Sequence, residues 1–180
     1  NTLRSREELD AVAAECREIG VSVHTVVADV SDSGQVSRMV EEGVAALGKI
    51  DILVSNAAVR PHKPVLEVSD EEWRQVLGVN LDATFYLCRA VLPGMIDRRS
   101  GSIIALGGQA AITGRPGTAA VTTAKTGLLG LIRAIAAEMA PHNIRANLVN
   151  PGSTDTERRH PGWYPEFRDV SRGSPEHLKA

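Results

Sequence analysis

Short runs rich in β-branched residues alternate along this chain with longer stretches in which apolar side chains recur at helical spacing. That alternation predicts a parallel sheet covered by helices on both faces. "SREELDAVAAECREIG" (5–20) opens on Ser5 with Glu8 three positions on, the pairing of a capping box, and closes on Gly20, so it predicts a helix with both ends marked. "VSVHTVVADV" (21–30) predicts a first strand near 21–28, and "SDSGQVSRMVEEGVAALG" (31–48) the next helix. "KIDILVSNAA" (49–58) predicts a strand near 50–55 whose continuous apolar run suits burial on both faces. A second capping box, Ser69 with Glu72, starts a helix running through "EEWRQVLGVNLDATFYLCRAVLPGMI" (71–96). "GSIIALGG" predicts a strand near 102–106 and "NIRANLVNPG" another near 144–149, with a helix, "TTAKTGLLGLIRAIAAEMA" (122–140), between them. Beyond residue 150 the periodicity is lost, and Pro, Gly, Arg and aromatic residues predict a long loop with short helical pieces.

A length of 180 residues with 43% hydrophobic content fits one packed domain. The formal net charge of −2, with both signs interspersed, leaves no basic face for nucleic acid and no polybasic segment for anionic lipid. Neither is expected as a partner. Cys16 and Cys88 stand alone within helical patterns without metal-ligand spacing, which predicts reduced core thiols and a cytoplasmic setting. No stretch reads as a signal peptide or a membrane span.

In a doubly wound sheet, ligands bind beyond the carboxyl ends of the strands. Those ends read "ADVSD", "SNAA", "ALGG" and "NPGSTDT", and their small residues let a ligand approach the backbone closely, although small residues are also ordinary turn formers. Taken in order, the segments resemble the Tyr-dependent short-chain dehydrogenase/reductase family, near its 3-oxoacyl-acyl-carrier-protein reductases, from residue 1 to about residue 157. The resemblance implies a Rossmann-like α/β core over 1–157 and a substrate-lid-like loop over 158–180 containing Trp163, Tyr164 and Phe167. It implies NAD or NADP as cofactor. Asp29 and Val30 would then lie beside the adenine, and Asn56, Ala57 and Ala58 would line the cofactor groove. Pro151 and Gly152 would pass the nicotinamide, and Thr154 and Thr156 would approach it and the phosphates. Asn80 would be the helix asparagine that in relatives holds a water next to the lysine, and Lys125 would be that lysine, which also bonds the ribose.

Two departures stand against that background. In the family a tyrosine one helical turn before the lysine is the general acid/base, and a serine at the end of the preceding strand polarises the same substrate oxygen; here those places hold Val121 and Gly108. Gln109, the hydroxyls of Thr118, Thr122 and Thr123, or Tyr164 from the tail are the substitutes within reach of the sequence, yet an alkyl hydroxyl is a far weaker acid than a phenol. The second departure is that the family's opening strand, Gly-rich turn and helix, which receive the pyrophosphate, match nothing here. With the family's strand order, 3-2-1-4-5-6-7, "VSVHTVV" loses both neighbours and stands about three spacings, or about 14 Å, from "IDILVSN". A buried strand needs partners for its N–H and C=O groups, so either the chain is part of a longer polypeptide, as its stop before the family's last strand also suggests, or another segment fills the gap.

The helix over 122–140 lacks a polar stripe, so one side is expected to cover the sheet and the other to meet a partner. Relatives pair this helix and the one over 84–98 across a twofold axis. The expectation is therefore a homo-oligomer, dimer or tetramer, or a hetero-oligomer with an active member of the family. Two functional readings follow: an oxidoreductase that transfers hydride between NAD(P)(H) and a carbonyl or alcohol with impaired acid/base chemistry, or a non-catalytic member retaining the fold and the oligomer surface.

Overall fold

The chain alternates helix and strand because each apolar run between turn signals is too short to bury itself alone and must pair. The computed structural model describes Asn1 and residues 5–152. In chain order it places α1 (Arg6–Glu18), α2 (Ser33–Leu47), β1 (Ile52–Ser55), α3 (Asp70–Leu77), α4 (Ala83–Arg98), β2 (Gly101–Leu106), α5 (Ala119–Met139) and β3 (Ile144–Val149). Three strands form one parallel sheet in the order β1-β2-β3, with Leu53 opposite Ile103 and Ile103 opposite Ala146.

One face of that sheet carries the core. Leu53, Ile103, Ala105, Ile144 and Ala146 pack against Leu87, Val91 and Met95 of α4, Leu128, Ile132 and Ile135 of α5, and Val36 of α2. The alternation of side chains along a strand sends Ile52 and Val54 to the opposite face, where they remain 62% and 56% exposed. The expectation that "KIDILVSNAA" is covered on both sides is thus corrected: α2, α4 and α5 all belong to the same core, and no described element covers the second face.

The strand expected near 21–28 is also corrected. Among the described residues that stretch forms no ladder and has an isolated bridge at Val27, and it is no member of the three-stranded sheet. Val21 and Val27 are exposed whereas Ala28 is buried, and the Asn1 carboxamide donates to the carbonyls of Val26 (3.2 Å) and Ala28 (3.3 Å). Likewise α1 buries only Ala13 and leaves Val12 and Ile19 in solvent.

The helix boundaries follow local chemistry with two revisions. Ser69 and Glu72 form the complete reciprocal capping box at α3, whereas Ser5 stands at the N-cap of α1 without a side-chain bond to the first turn. The long helix expected through 71–96 is interrupted by one wide π-helical turn, Gly78–Asp82, between α3 and α4. Such bulges re-aim side chains, and Asn80 lies within this one. The expectation that no stretch suits a membrane span needs amendment as well. Ala119–His142 is long and apolar enough by length and composition, and within it Leu128, Ile132 and Met139 are buried in the sheet-covering core and Ala124 in a second apolar cluster.

Candidate active site

The buried polar side chains among the described residues are Ser55, Asn80, Thr84 and Lys125, and each has its own bonding solution. Ser55, the last residue of β1, shares a 2.8 Å hydrogen bond with Thr84 of α4. Asn80 is 1% exposed and pairs with both polar groups of one backbone unit: the Val59 N–H donates to its Oδ1 (2.9 Å), and its Nδ2 donates to the Val59 carbonyl (2.8 Å). Both polar atoms of the Asn80 carboxamide are thus engaged in fastening the loop that follows β1.

Lys125 lies on the inward side of α5, 3% exposed, and its Nζ donates to the Leu106 carbonyl at the end of β2 (2.6 Å). Burial first, and the Arg60 guanidinium second, lower its pKa from 10.5 to about 8. One turn earlier, Val121 is buried in a small apolar cluster with Val76, Ala120 and Ala124, against which Val59 and Leu81 pack. Burial also acts on the Cys88 thiol, pushing it up to about 12, so it is a core side chain and no nucleophile.

Beyond Leu106 the backbone departs from what a serine adopts readily. Gly108 sits at φ 127° and ψ 173°, a region open essentially to glycine, with nothing within 4 Å of the place a Cβ would take. Its N–H donates to the Asn150 Oδ1 (2.9 Å). Gly107 is constrained differently, since a Cβ there would meet that same Oδ1 and the Leu148 side chain. The two glycines and Asn150 therefore form one unit that joins the ends of β2 and β3.

Asp29 and Val30 follow the unladdered stretch; the Asp29 carboxylate accepts from the Ser31 N–H (2.9 Å) and hydroxyl (2.7 Å), while Val30 is buried in the core. Asn56 and Ala57 are exposed just past β1 and Ala58 is half-buried. Pro151 is half-buried and Gly152 exposed just past β3. The expected contributions of Thr154, Thr156, Trp163, Tyr164 and Phe167 fall outside the described residues. Of the substitute acids, the Gln109 Oε1 accepts from Arg115 (2.7 Å), and the Thr118 hydroxyl donates to the Arg115 carbonyl (2.7 Å) and lies 3.1 Å from that of Thr122, so these groups build the turn into α5. Sequence reasoning passed over Asn150, Val59 and Arg60. Asn150 alone carried a signal, a polar residue directly before the Pro-Gly step and facing two consecutive glycines across the sheet; Val59 and the Leu106 carbonyl act through their backbones, which no residue type announces.

Known proteins agree with this architecture. The model of the family described as short chain dehydrogenase matches residues 2–163. The 3-oxoacyl-[acyl-carrier-protein] reductase FabG of Thermotoga maritima is 35% identical over 152 residues, and dehydrogenase/reductase SDR family member 4 of Homo sapiens is 35% identical over 169 residues. These alignments cover 84% and 93% of this chain but 62% and 61% of the relatives, so the chain spans about three fifths of their length. Among solved structures, a metagenomic short-chain oxidoreductase in complex with NADP superposes with a TM-score of 0.80 at 35% identity, covering 85% of this chain and 70% of that one. A gluconate 5-dehydrogenase from Burkholderia cenocepacia, in complex with NADP and tartrate, gives a TM-score of 0.80 at 31% identity, covering 86% of this chain and 61% of that one. With its parallel sheet, its buried helix lysine bonded to a strand-end carbonyl and a family match over nearly its whole length, the chain belongs to the short chain dehydrogenase family.

Proposed function

We propose that this chain is an oxidoreductase scaffold whose acid/base half has been lost, so that carbonyl reduction or alcohol oxidation with NAD or NADP is strongly impaired. The observation that carries the reading is at Val121. One turn before the buried lysine, where a proton donor would serve the substrate oxygen, stands an apolar side chain packed into the core. A nicotinamide cofactor would supply or accept the hydride. The exposed Asn56 and Ala57, the half-buried Ala58 and Pro151, and Lys125 are the residues that would hold it, and their small size and position at the strand ends fit a close-lying planar ligand. The Asp29 carboxylate, already accepting two bonds from Ser31, would contribute a shaped wall next to Val30 more than a free acceptor.

General acid/base groups contribute about 10² to 10⁴ in rate, which sets the scale of the impairment. The test is NAD(P)H oxidation with a β-ketoacyl thioester. The expected result is turnover no higher than that of Lys125→Ala. Turnover well above that control would show that another acid serves the site. Activity restored by Gly108→Ser with Val121→Tyr only in a longer polypeptide that includes a Gly-rich pyrophosphate turn would show that cofactor positioning is the second requirement.

A second reading, a non-catalytic partner subunit, is favoured by α5. Its outer side carries the small residues Thr123, Thr126, Gly130, Ala134 and Ala137, flanked by the exposed Arg133 and Glu138, so another helix could approach along the small residues with the two charges at its margin, and Phe85 is exposed on α4. Association through these helices, with a second copy or an active relative, is expected to be lost in Gly130→Leu or Ala134→Glu when molecular mass is measured by sedimentation.

A further inference from the structure

We propose that the substrate side of this site recognises an oxyanion, a carboxylate or phosphate carried by the carbonyl or alcohol compound, through Arg60 and Arg115. The inference rests on the oxidoreductase reading and adds to it the class of substrate.

Placement comes first. Arg60 stands between two anchored residues beyond the carboxyl end of β1. Val59 is fastened by Asn80 and packs against Ala120, Val121 and Ala124 in the first turns of α5, and Lys63 donates its backbone N–H to the Gly117 carbonyl (2.8 Å). The His62 ring closes the same junction, lying where a Cβ on Gly117 would sit. Residues 60–62 are thus held across the turn that enters α5, and Arg115 lies in that turn, two residues before Gly117. Its guanidinium donates to the Gln109 Oε1 (2.7 Å), directly beyond Gly108 and the end of β2. Both arginines are exposed, so their charges reach solvent where doubly wound sheets present their ligands.

Charge comes second. Residues 56–63 and 107–118 contain Arg60, His62, Lys63 and Arg115 and no aspartate or glutamate. Lys63 is neutralised by both oxygens of Glu72 (2.8 Å). Among the described residues no carboxylate stands within ion-pair distance of Arg60 or Arg115, whereas Asp51, Asp70 and Glu71 pair with cations elsewhere. The partner of Arg115 is a neutral carboxamide, which leaves its charge uncompensated and most of its N–H donors uncommitted. Lys125 adds a third cation at the end of β2. Burial first and Arg60 second lower its amine to about 8, which puts the guanidinium charge within reach of the buried lysine.

Like charges gathered without a counter-charge repel one another, and a bound anion relieves that repulsion. The guanidinium fork matches the paired oxygens of a carboxylate or phosphate, which singles out these groups over a halide or a neutral hydroxyl. Exposed ion pairs are individually weak, so selectivity depends on two arginines meeting one anion.

Succinate, its uncharged counterpart succinamide and inorganic phosphate, each titrated at constant ionic strength into the 180-residue protein and followed by amide NMR shifts, test this. The expected result is saturable shifts around residues 60 and 115 with an anion and none with succinamide. Arg60→Met and Arg115→Met, both at exposed positions, should each weaken anion binding about five- to tenfold, the scale of one charge-assisted hydrogen bond. Lys49→Met, which removes an ammonium paired with Asp51 (3.2 Å), should leave it unchanged. Succinate binding more tightly than phosphate supports a carboxylate-bearing substrate, and the reverse order supports a phosphorylated one. Binding of neither anion, succinamide binding as well as succinate, or anion binding unmoved by either arginine substitution overturns the proposal. The titration needs neither nicotinamide nor turnover, so its failure and failure of the oxidoreductase reading are told apart.

Discussion

Lys125 shows how a single side chain is held in an unfavourable state by its surroundings. Its folded pKa of about 8 lies below the ordinary 10.5, so between those values the unfolded chain binds more protons than the folded one, and stability rises with pH across that window. Below it the full cost of a buried ammonium is present, about 3 kcal/mol from the size of the shift. Lys125→Met should therefore raise stability at pH 7 by about 1–3 kcal/mol after the lost bond to Leu106 is counted, and should flatten the alkaline rise. Urea unfolding across neutral to alkaline pH measures both; a variant less stable than the parent would show that the amine is not destabilising. Asn80 is the opposite case, a buried polar group with every bond satisfied. Asn80→Ala strands the Val59 N–H and carbonyl and should cost about 2–3 kcal/mol, with faster amide exchange at Val59. Both residues were legible from the family pattern. Their partners were not, because those are backbone groups brought near only when β1, β2 and α5 are assembled.

Among the elements, the β2 end and the π turn depart most from regular structure. A serine at 108 would inherit φ 127°, a conformation costing about 1–3 kcal/mol for a residue with a Cβ, so Gly108→Ser should lower the thermal midpoint although the space is open. Gly107→Ala should be worse, since its Cβ meets Asn150 and Leu148, and Asn150→Gly in the same chain should recover part of the loss. Additive effects in that double-mutant cycle would break the link between the two glycines and Asn150. Capping chemistry shows why equal motifs gave unequal structure. At Ser69 the box closes, and its Glu72 is also held by Lys63, which together keep that carboxyl below its usual pKa. α1 buries Ala13 alone among its residues, and local bonds alone seldom order a helix end.

On the scale of the whole molecule, the imbalance is between a covered and an uncovered sheet face. Ile52, Val54 and Val149 lie exposed on the second face, and Val21 and Val27 lie exposed on the unladdered stretch. Exposed apolar side chains on a sheet face favour association. The isolated 180-residue chain should bind a hydrophobic dye and self-associate as its concentration rises, and Ile52→Thr with Val54→Lys should reduce both while leaving the helical circular dichroism intact. Residues 21–28 should be cut by protease before the sheet opens, because they lie outside the three-stranded sheet.

Apolar spacing and capping residues by themselves determined the three paired strands, the helices that cover them and the place of the lysine on its helix, since these depend on neighbours within a few positions. Burial on a second face, pairing of the 21–28 stretch and the bonding of Asn80 and Asn150 were decided by the tertiary structure. Each depends on groups distant in sequence, and whether such groups arrive is a property of the assembled sheet: "ILVS" reads the same whether one face is covered or two.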